Sequence, residues 1–244
     1  MTDPSERPAT SGSGAPEHGV PLVERVIASI SAAPARPVLN YAPWAGTWLD
    51  GPPTPVPDDV LATMAFPSGR PLPPGLRRWL AYDTSLLTRF GWFTPDGSHR
   101  LTPRPLGVLA AAEYGEPWAT LYHPFSTRFT ECFLLPGGSD SRRVFAVAEP
   151  DETGEYPVLA LDIDDLPCVE LMYPGFDAYL ADTAGLVTMP GGSYPALATD
   201  ATYGPRMRTH ARRTFGGGYG WTFPEAPFDD SVFADSDSRT PGTR

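Results

Sequence analysis

The sequence predicts an α+β domain: a mixed or antiparallel sheet of about five or six strands with helices packed on one side. Three observations carry this expectation. Residues 155–186 read as two strands joined by an acidic turn, followed by one short helix. Two earlier windows, 21–33 and 72–87, repeat apolar residues at helical spacing. Between the second window and the strand pair lie short β-type runs punctuated by Gly-Gly and Asp-Gly turns.

The elements follow in order. Residues 1–19 are polar and rich in Pro, Ser and Gly, and are expected to be a disordered lead. In 21–33 Pro21 opens a helix whose stripe is Val23, Val26, Ile27 and Ile30. Residues 34–57 form a Pro-rich arm carrying Tyr41, Trp44 and Trp48, large aromatics that most often bury themselves and that otherwise anchor a partner. Asp58 and Asp59 open a short helix ending near Phe66. The window 72–87 follows, with Leu76, Trp79, Leu80 and Leu87 in its stripe. Strands are expected at 89–93, 117–123, 130–135 and 144–148. In 158–163, Leu159, Leu161 and Ile163 share one face, and in 168–173 Val169, Leu171 and Tyr173 do the same. After Pro174 and Gly175, the residues Phe176, Tyr179, Leu180 and Ala184 recur as one helix face, with Asp177 early in the helix where the dipole favours an anion. Residues 187–228 read as a C-terminal extension of a single domain spanning 20–228, and 229–244 as a disordered acidic tail.

Composition narrows the function. The 244 residues carry a formal charge of -11, and all 18 basic residues are Arg, which reads as the coding bias of a GC-rich genome. That balance argues against a nucleic-acid or anionic-membrane binder, because phosphate binding needs a basic face, and it suits a basic protein partner. The polar N-terminus is no signal peptide, and no window approaches the roughly 18–20 apolar residues of a membrane span, so a soluble, cytoplasmic chain is expected.

The motifs of catalysis do not occur. There is no nucleophile elbow, phosphate loop or zinc helix, and the lack of Lys removes Schiff-base chemistry. Cys132 and Cys168 lie in apolar runs and read as buried small hydrophobes. Of the four His, only His123, near Glu131 in sequence, stands where a carboxylate partner is conceivable, and a satisfied histidine is the better reading. Asp162, Asp164 and Asp165 have the alternate spacing that begins a calcium loop, but Pro167 and Tyr173 stand where that loop needs Gly and Glu. Neither metal nor cofactor is expected. Arg206, Arg208, Arg212 and Arg213 precede a glycine run with Tyr219 and Trp221; intramolecular docking onto an acidic surface suits this patch better than binding nucleic acid, and the glycines read as a mobile loop.

The strand, acidic turn, strand and GFDAYL helix of 155–186 resemble the C-terminal half of the SMI1/KNR4 (SUKH) superfamily, and LPPGLRRWLAYDTSLL at 72–87 is similar to its early helix. The resemblance covers residues 56–186; the family's frequent Asn-Gly after that helix is replaced by Asp83, Thr84 and Ser85. It implies a protein-binding domain without catalysis. In bacteria such domains act chiefly as immunity proteins that neutralise a cognate toxin, often a nuclease or deaminase. The alternatives are a regulatory or scaffold module of the same superfamily and, less favoured, a hydrolase built on His123. On the immunity reading the partner-facing residues are Asp162, Asp164, Asp165 and Glu170, with Trp44 and Trp48 as aromatic anchors.

Overall fold

A computed structural model describes residues 18–38, 46–137, 142–162, 168–187 and 194–222. Its centre is one five-stranded antiparallel sheet whose strands lie side by side in chain order. These are β1 (Cys132–Leu135), β2 (Arg142–Ala146), β3 (Val158–Asp162), β4 (Cys168–Tyr173) and β5 (Gly220–Thr222). The register places Phe133 opposite Phe145, Phe145 opposite Val158 and Val169 opposite Trp221, so large apolar side chains line up across strands. Val158, Leu159, Ala160 and Leu161 are all buried. Successive strand residues point to opposite faces, so both faces of β3 are covered.

Nine helical segments occur among the described residues. The first, α1 (Val20–Ala32), buries Leu22, Val23, Val26, Ile27 and Ile30, the stripe read from sequence. After α2 (Asp58–Thr63), the window 72–87 divides into α3 (Pro74–Leu80) and α4 (Ser85–Arg89). The break lies at Asp83. Its buried carboxylate accepts hydrogen bonds from Thr54 N at 3.0 Å, Ser85 Oγ at 2.7 Å and Leu86 N at 3.4 Å, taking donors at the start of a new helix.

Two expected strands are helical or irregular. Residues 89–93 hold the end of α4 and a single bridge from Phe93 to Leu101. Residues 117–123 lie inside α6 (Glu116–Ser126), which forms an antiparallel pair with α5 (Leu106–Tyr114), a helix the sequence reading did not place. Aromatic and β-branched content in 117–123 mimicked a strand, and packing against α5 decided otherwise. The chain then forms α7 (Phe176–Thr183), α8 (Tyr194–Leu197) and α9 (Gly204–Phe215).

The glycine run after α9 is not a free loop, since Gly220 enters β5 opposite Glu170. A Cβ at Gly220 would stand 2.8 Å from Val169 O, so glycine lets the fifth strand approach the fourth. Trp92 stacks on Phe133 at 4.3 Å, and Phe66, Phe145, Tyr156 and Phe176 complete an aromatic core between the sheet and the N-terminal helices. No helix among the described residues is long and apolar enough to cross a membrane.

Candidate functional site

Helix α9 carries the chain's basic patch, and its spacing sorts the arginines. Arg206, Met207, His210, Ala211 and Thr214 fall on the buried face, while Arg208, Arg212 and Arg213 face outward. Arg206 Nε donates to Asp151 Oδ2 at 2.5 Å, Nη1 to Asp177 Oδ2 at 2.8 Å, and Nη2 to Asp177 Oδ1 at 3.0 Å and Pro174 O at 3.2 Å. Thr209 Oγ1 donates to Glu152 Oε1 at 2.7 Å, and Arg213 donates to Pro150 O. The segment is thus docked within the molecule as expected, but its acidic partners are Asp151, Glu152 and Asp177.

Asp151 and Asp177 are both fully screened from water at the side chain. Asp151 Oδ1 also accepts from Thr153 N, Thr153 Oγ1 and Glu155 N, which curls residues 151–155 around it. Burial acts to raise both carboxyl pKa values, but the charge and hydrogen bonds of Arg206, with His210 and Thr153 at Asp151 and Gly19 N at Asp177, hold both below the ordinary range. Glu155 behaves oppositely. Burial, then the charge of Asp177, pushes it up to about 8, against the single hydrogen bond from Gly75 N to Oε1 at 2.6 Å. His210 Nε2 lies 3.0 Å from Pro174 O, a geometry in which Nε2 carries the hydrogen and donates. Glu155 Oε2 and His210 Nδ1 find no hydrogen-bond partner among the described residues. Ionisable and buried, this cluster resembles catalytic machinery in its shifted pKa values. Arg206 is only 4% exposed and Glu155 and His210 are 0% exposed, so a substrate has no route to it. Its chemistry is that of a structural clasp.

The surface offers a different feature. Helices α5 and α6 approach closely at Gly107, where a Cβ would meet Ser126 Oγ at 2.7 Å; Gly107 N instead donates to that oxygen at 2.8 Å. Beside this contact lies a cleft of about 590 Å³, walled by Pro105, Val108, Ala111 and Ala112 on one side and His123, Ser126 and Thr127 on the other. Val108, 53% exposed, stands in it, and Leu121, 39% exposed, lies on α6. The same pair of helices brackets the acidic connection: Tyr114 OH donates to Leu161 O at 2.9 Å, and Tyr122 OH to Cys168 O at 3.3 Å. A second cleft, about 780 Å³, separates α2 from residues 99–103 and is lined by Val60, Met64, His99 and Leu101. No group of three or more potential metal ligands occurs among the described residues.

The residues expected to face a partner separate. Trp44, Asp164 and Asp165 lie outside the described residues. Asp162 ends β3, its backbone paired with Cys168. Glu170 is half-buried on β4, between Ala160 and Gly220. Trp48 is 0% exposed with its ring centroid 5.9 Å from that of Trp79, which corrects its reading as a partner anchor: the arm spends this aromatic on the core. His123 borders the α5–α6 cleft, whereas Glu131 is turned to Ser68 N, 2.8 Å away. The sequence reading missed the Arg206 clasp, although the i, i+4 pair Arg206 and His210 shares a stripe with Met207, Ala211 and Phe215 that marks a buried face.

No family model matches the chain, and no curated protein matches it. Among solved structures, an uncharacterized protein from Salmonella enterica serovar Typhimurium aligns over 88% of this chain and 98% of its own length, with a TM-score of 0.52 and 13% identity. That likeness concerns the fold.

Proposed function

We propose that this chain is a protein-binding domain of the SMI1/KNR4 type, acting as a bacterial immunity protein that binds and neutralises a toxin domain. The observation that carries the reading is the apolar cleft between α5 and α6, with Val108 and Leu121 exposed on adjoining helices. A concave apolar patch with a polar rim is the form of a protein interface more than of a hydrolytic site. The strand, acidic turn, strand and helix order of residues 155–186 supports the family assignment. Tyr114 OH of α5 donates to Leu161 O and Tyr122 OH of α6 to Cys168 O, backbone groups on either side of the stretch whose sequence carries Asp162, Asp164 and Asp165. An apolar cleft on a chain of net charge -11 suits a basic partner, whose approach that charge accelerates.

The test is co-purification of the full chain with the products of adjacent genes at low and high salt, repeated with Val108→Asp. The expected result is a salt-sensitive complex with a basic toxin domain, weakened at least tenfold by the substitution. A partner set without toxins replaces the immunity reading by the scaffold reading, and an unchanged affinity for Val108→Asp removes the cleft from the interface.

A further inference from the structure

We propose that the cleft between α2 and residues 99–103 is a second binding site, which captures the free carboxyl terminus of an extended peptide whose last side chain is apolar. It shares no lining residue with the α5–α6 cleft, so the inference goes beyond the functional reading and either can fail alone.

The cleft encloses about 780 Å³, within the range of small-ligand sites. Val60 of α2, with Met64 and Ala65 at its end, gives one apolar wall, and Leu101 and Pro103 give the other. The two hydroxyls in the lining are already committed: Thr63 Oγ1 donates to Val60 O at 3.2 Å and Thr102 Oγ1 to Gly91 O at 2.8 Å. His99 and Arg100 remain. Neither side chain makes a hydrogen bond or ion pair among the described residues, and the His99 ring meets only that of Phe93, edge-on with centroids 6.0 Å apart. No carboxylate lines the cleft. Asp96, in the neighbouring turn, is taken up there by Thr94 Oγ1 at 2.6 Å and Ser98 N at 3.0 Å. The chain's net charge of -11 acts weakly on an anion at this place, because exposed charges beyond about 8 Å are screened at physiological salt.

The backbone adds a third donor. Leu101 and Phe93 form a single antiparallel bridge, flanked by Thr102 N to Trp92 O and Thr94 N to Arg100 O, both at 2.9 Å. In that pattern the bridged residues exchange no hydrogen bond with each other, so the N–H and C=O of Leu101 point away from Phe93. No hydrogen bond among the described residues takes them up, although Leu101 is buried. An unpaired strand edge of this kind accepts an added strand. His99, at φ 55, is the one non-glycine residue with positive φ among the described residues. Such a conformation is uncommon for a residue with a Cβ, and strain of this sort gathers at ligand clamps.

Spacing selects the ligand. His99 and Leu101 are two residues apart, at most about 7 Å of extended chain. A ligand that uses all three donors must therefore set a carboxylate that close to both an apolar group and a main-chain amide. The last residue of a peptide does so, since its carboxylate, side chain and amide nitrogen share one Cα. Its carboxylate would take the Arg100 guanidinium and a His99 N–H, which either imidazole tautomer provides. Its side chain would lie between Met64 and Leu101, and its backbone would pair with Leu101.

The experiment titrates the full chain with the tetrapeptide acetyl-Ala-Thr-Ala-Leu as the free acid and as the C-terminal amide, with octanoate alongside, following amide resonances by NMR. The free acid should saturate below about 1 mM, moving the Leu101 amide and leaving Val108 in place. The amide should bind about tenfold more weakly, and so should the free acid to Arg100→Ala, an exposed position that leaves the fold intact. His99→Gly, which suits the positive φ and removes only the imidazole, should weaken it by about threefold or more. No saturation by the free acid overturns the proposal, as does equal binding of acid and amide. Octanoate binding as tightly as the peptide also overturns it, by removing the main-chain pairing, and so does affinity that ignores both substitutions.

Discussion

Arg206 and Asp177, 29 positions apart, meet as a two-pronged ion pair, Nη1 to Oδ2 at 2.8 Å and Nη2 to Oδ1 at 3.0 Å, with Asp151 on the remaining Nε. Removing the guanidinium strands two buried carboxylates. Arg206→Ala should cost about 3–5 kcal/mol in urea unfolding. Arg206→Lys should recover little, because an ammonium cannot serve both carboxylates along the guanidinium's fork. Pairing Arg206→Met with Asp151→Asn and Asp177→Asn should restore a large part, since the uncompensated charges go too.

Glu155 sets the alkaline side of the stability profile. The folded chain keeps its carboxyl protonated up to about pH 8, whereas an unfolded glutamate ionises near 4.5. The folded state therefore binds the extra proton across that window, and stability falls as pH rises through it. Asp151 and Asp177 work in the other direction: their folded pKa values are depressed, so their contribution is present above an unfolded value of 3.8 and is lost as pH falls below it. Thermal unfolding should show greatest stability in the weakly acidic range. Glu155→Gln, which keeps an oxygen for Gly75 N, should flatten the alkaline limb and add about 2–4 kcal/mol at pH 8. An unchanged slope in the variant would assign that limb to other groups.

Gly107 controls the shape of the cleft. Any side chain there collides with Ser126 Oγ and with the His123 backbone, 3.2 Å from the position of a Cβ. Gly107→Val should pry α5 from α6 at a cost of about 1–3 kcal/mol. Partner affinity should fall with it, measured by calorimetry at a temperature where the variant is still folded.

Trp48 separates core from interface. Its side chain is wholly buried against Trp79, so Trp48→Ala should cost about 3–5 kcal/mol in chemical denaturation. Affinity of the folded fraction for a partner should stay within twofold, the opposite of the pattern expected for Val108→Asp.

The readable parts of the fold were those whose periodicity matched their burial. The stripe of α1, the pair β3 and β4, and the face of α7 follow from apolar spacing alone. The α5–α6 pair did not, because α5 is apolar nearly all round and α6 carries strand-favouring aromatics; only their mutual contact at Gly107 makes them a hairpin of helices. The clasp was half visible. Asp177 reads from sequence as an anion placed for the helix dipole, and the reason for its burial lies in Arg206 and in Gly19 N, at distances along the chain that no local pattern encodes. Trp48 and Trp44 were alike in sequence, and the fold uses the first for packing.

The carboxylate of Asp177 also accepts a hydrogen bond from Gly19 N at 2.6 Å, at the entrance to α1, while holding Arg206 of α9. The first and last helices of the described fold are therefore latched to one side chain. Tension applied between Gly19 and Thr222 would load this latch from the N-terminal side and the β4–β5 pairing from the C-terminal side, so the two together set the mechanical strength of the domain. Joining those ends through a linker and cutting the chain elsewhere, for instance within the exposed turn at 95–98, should leave the latch under no strain.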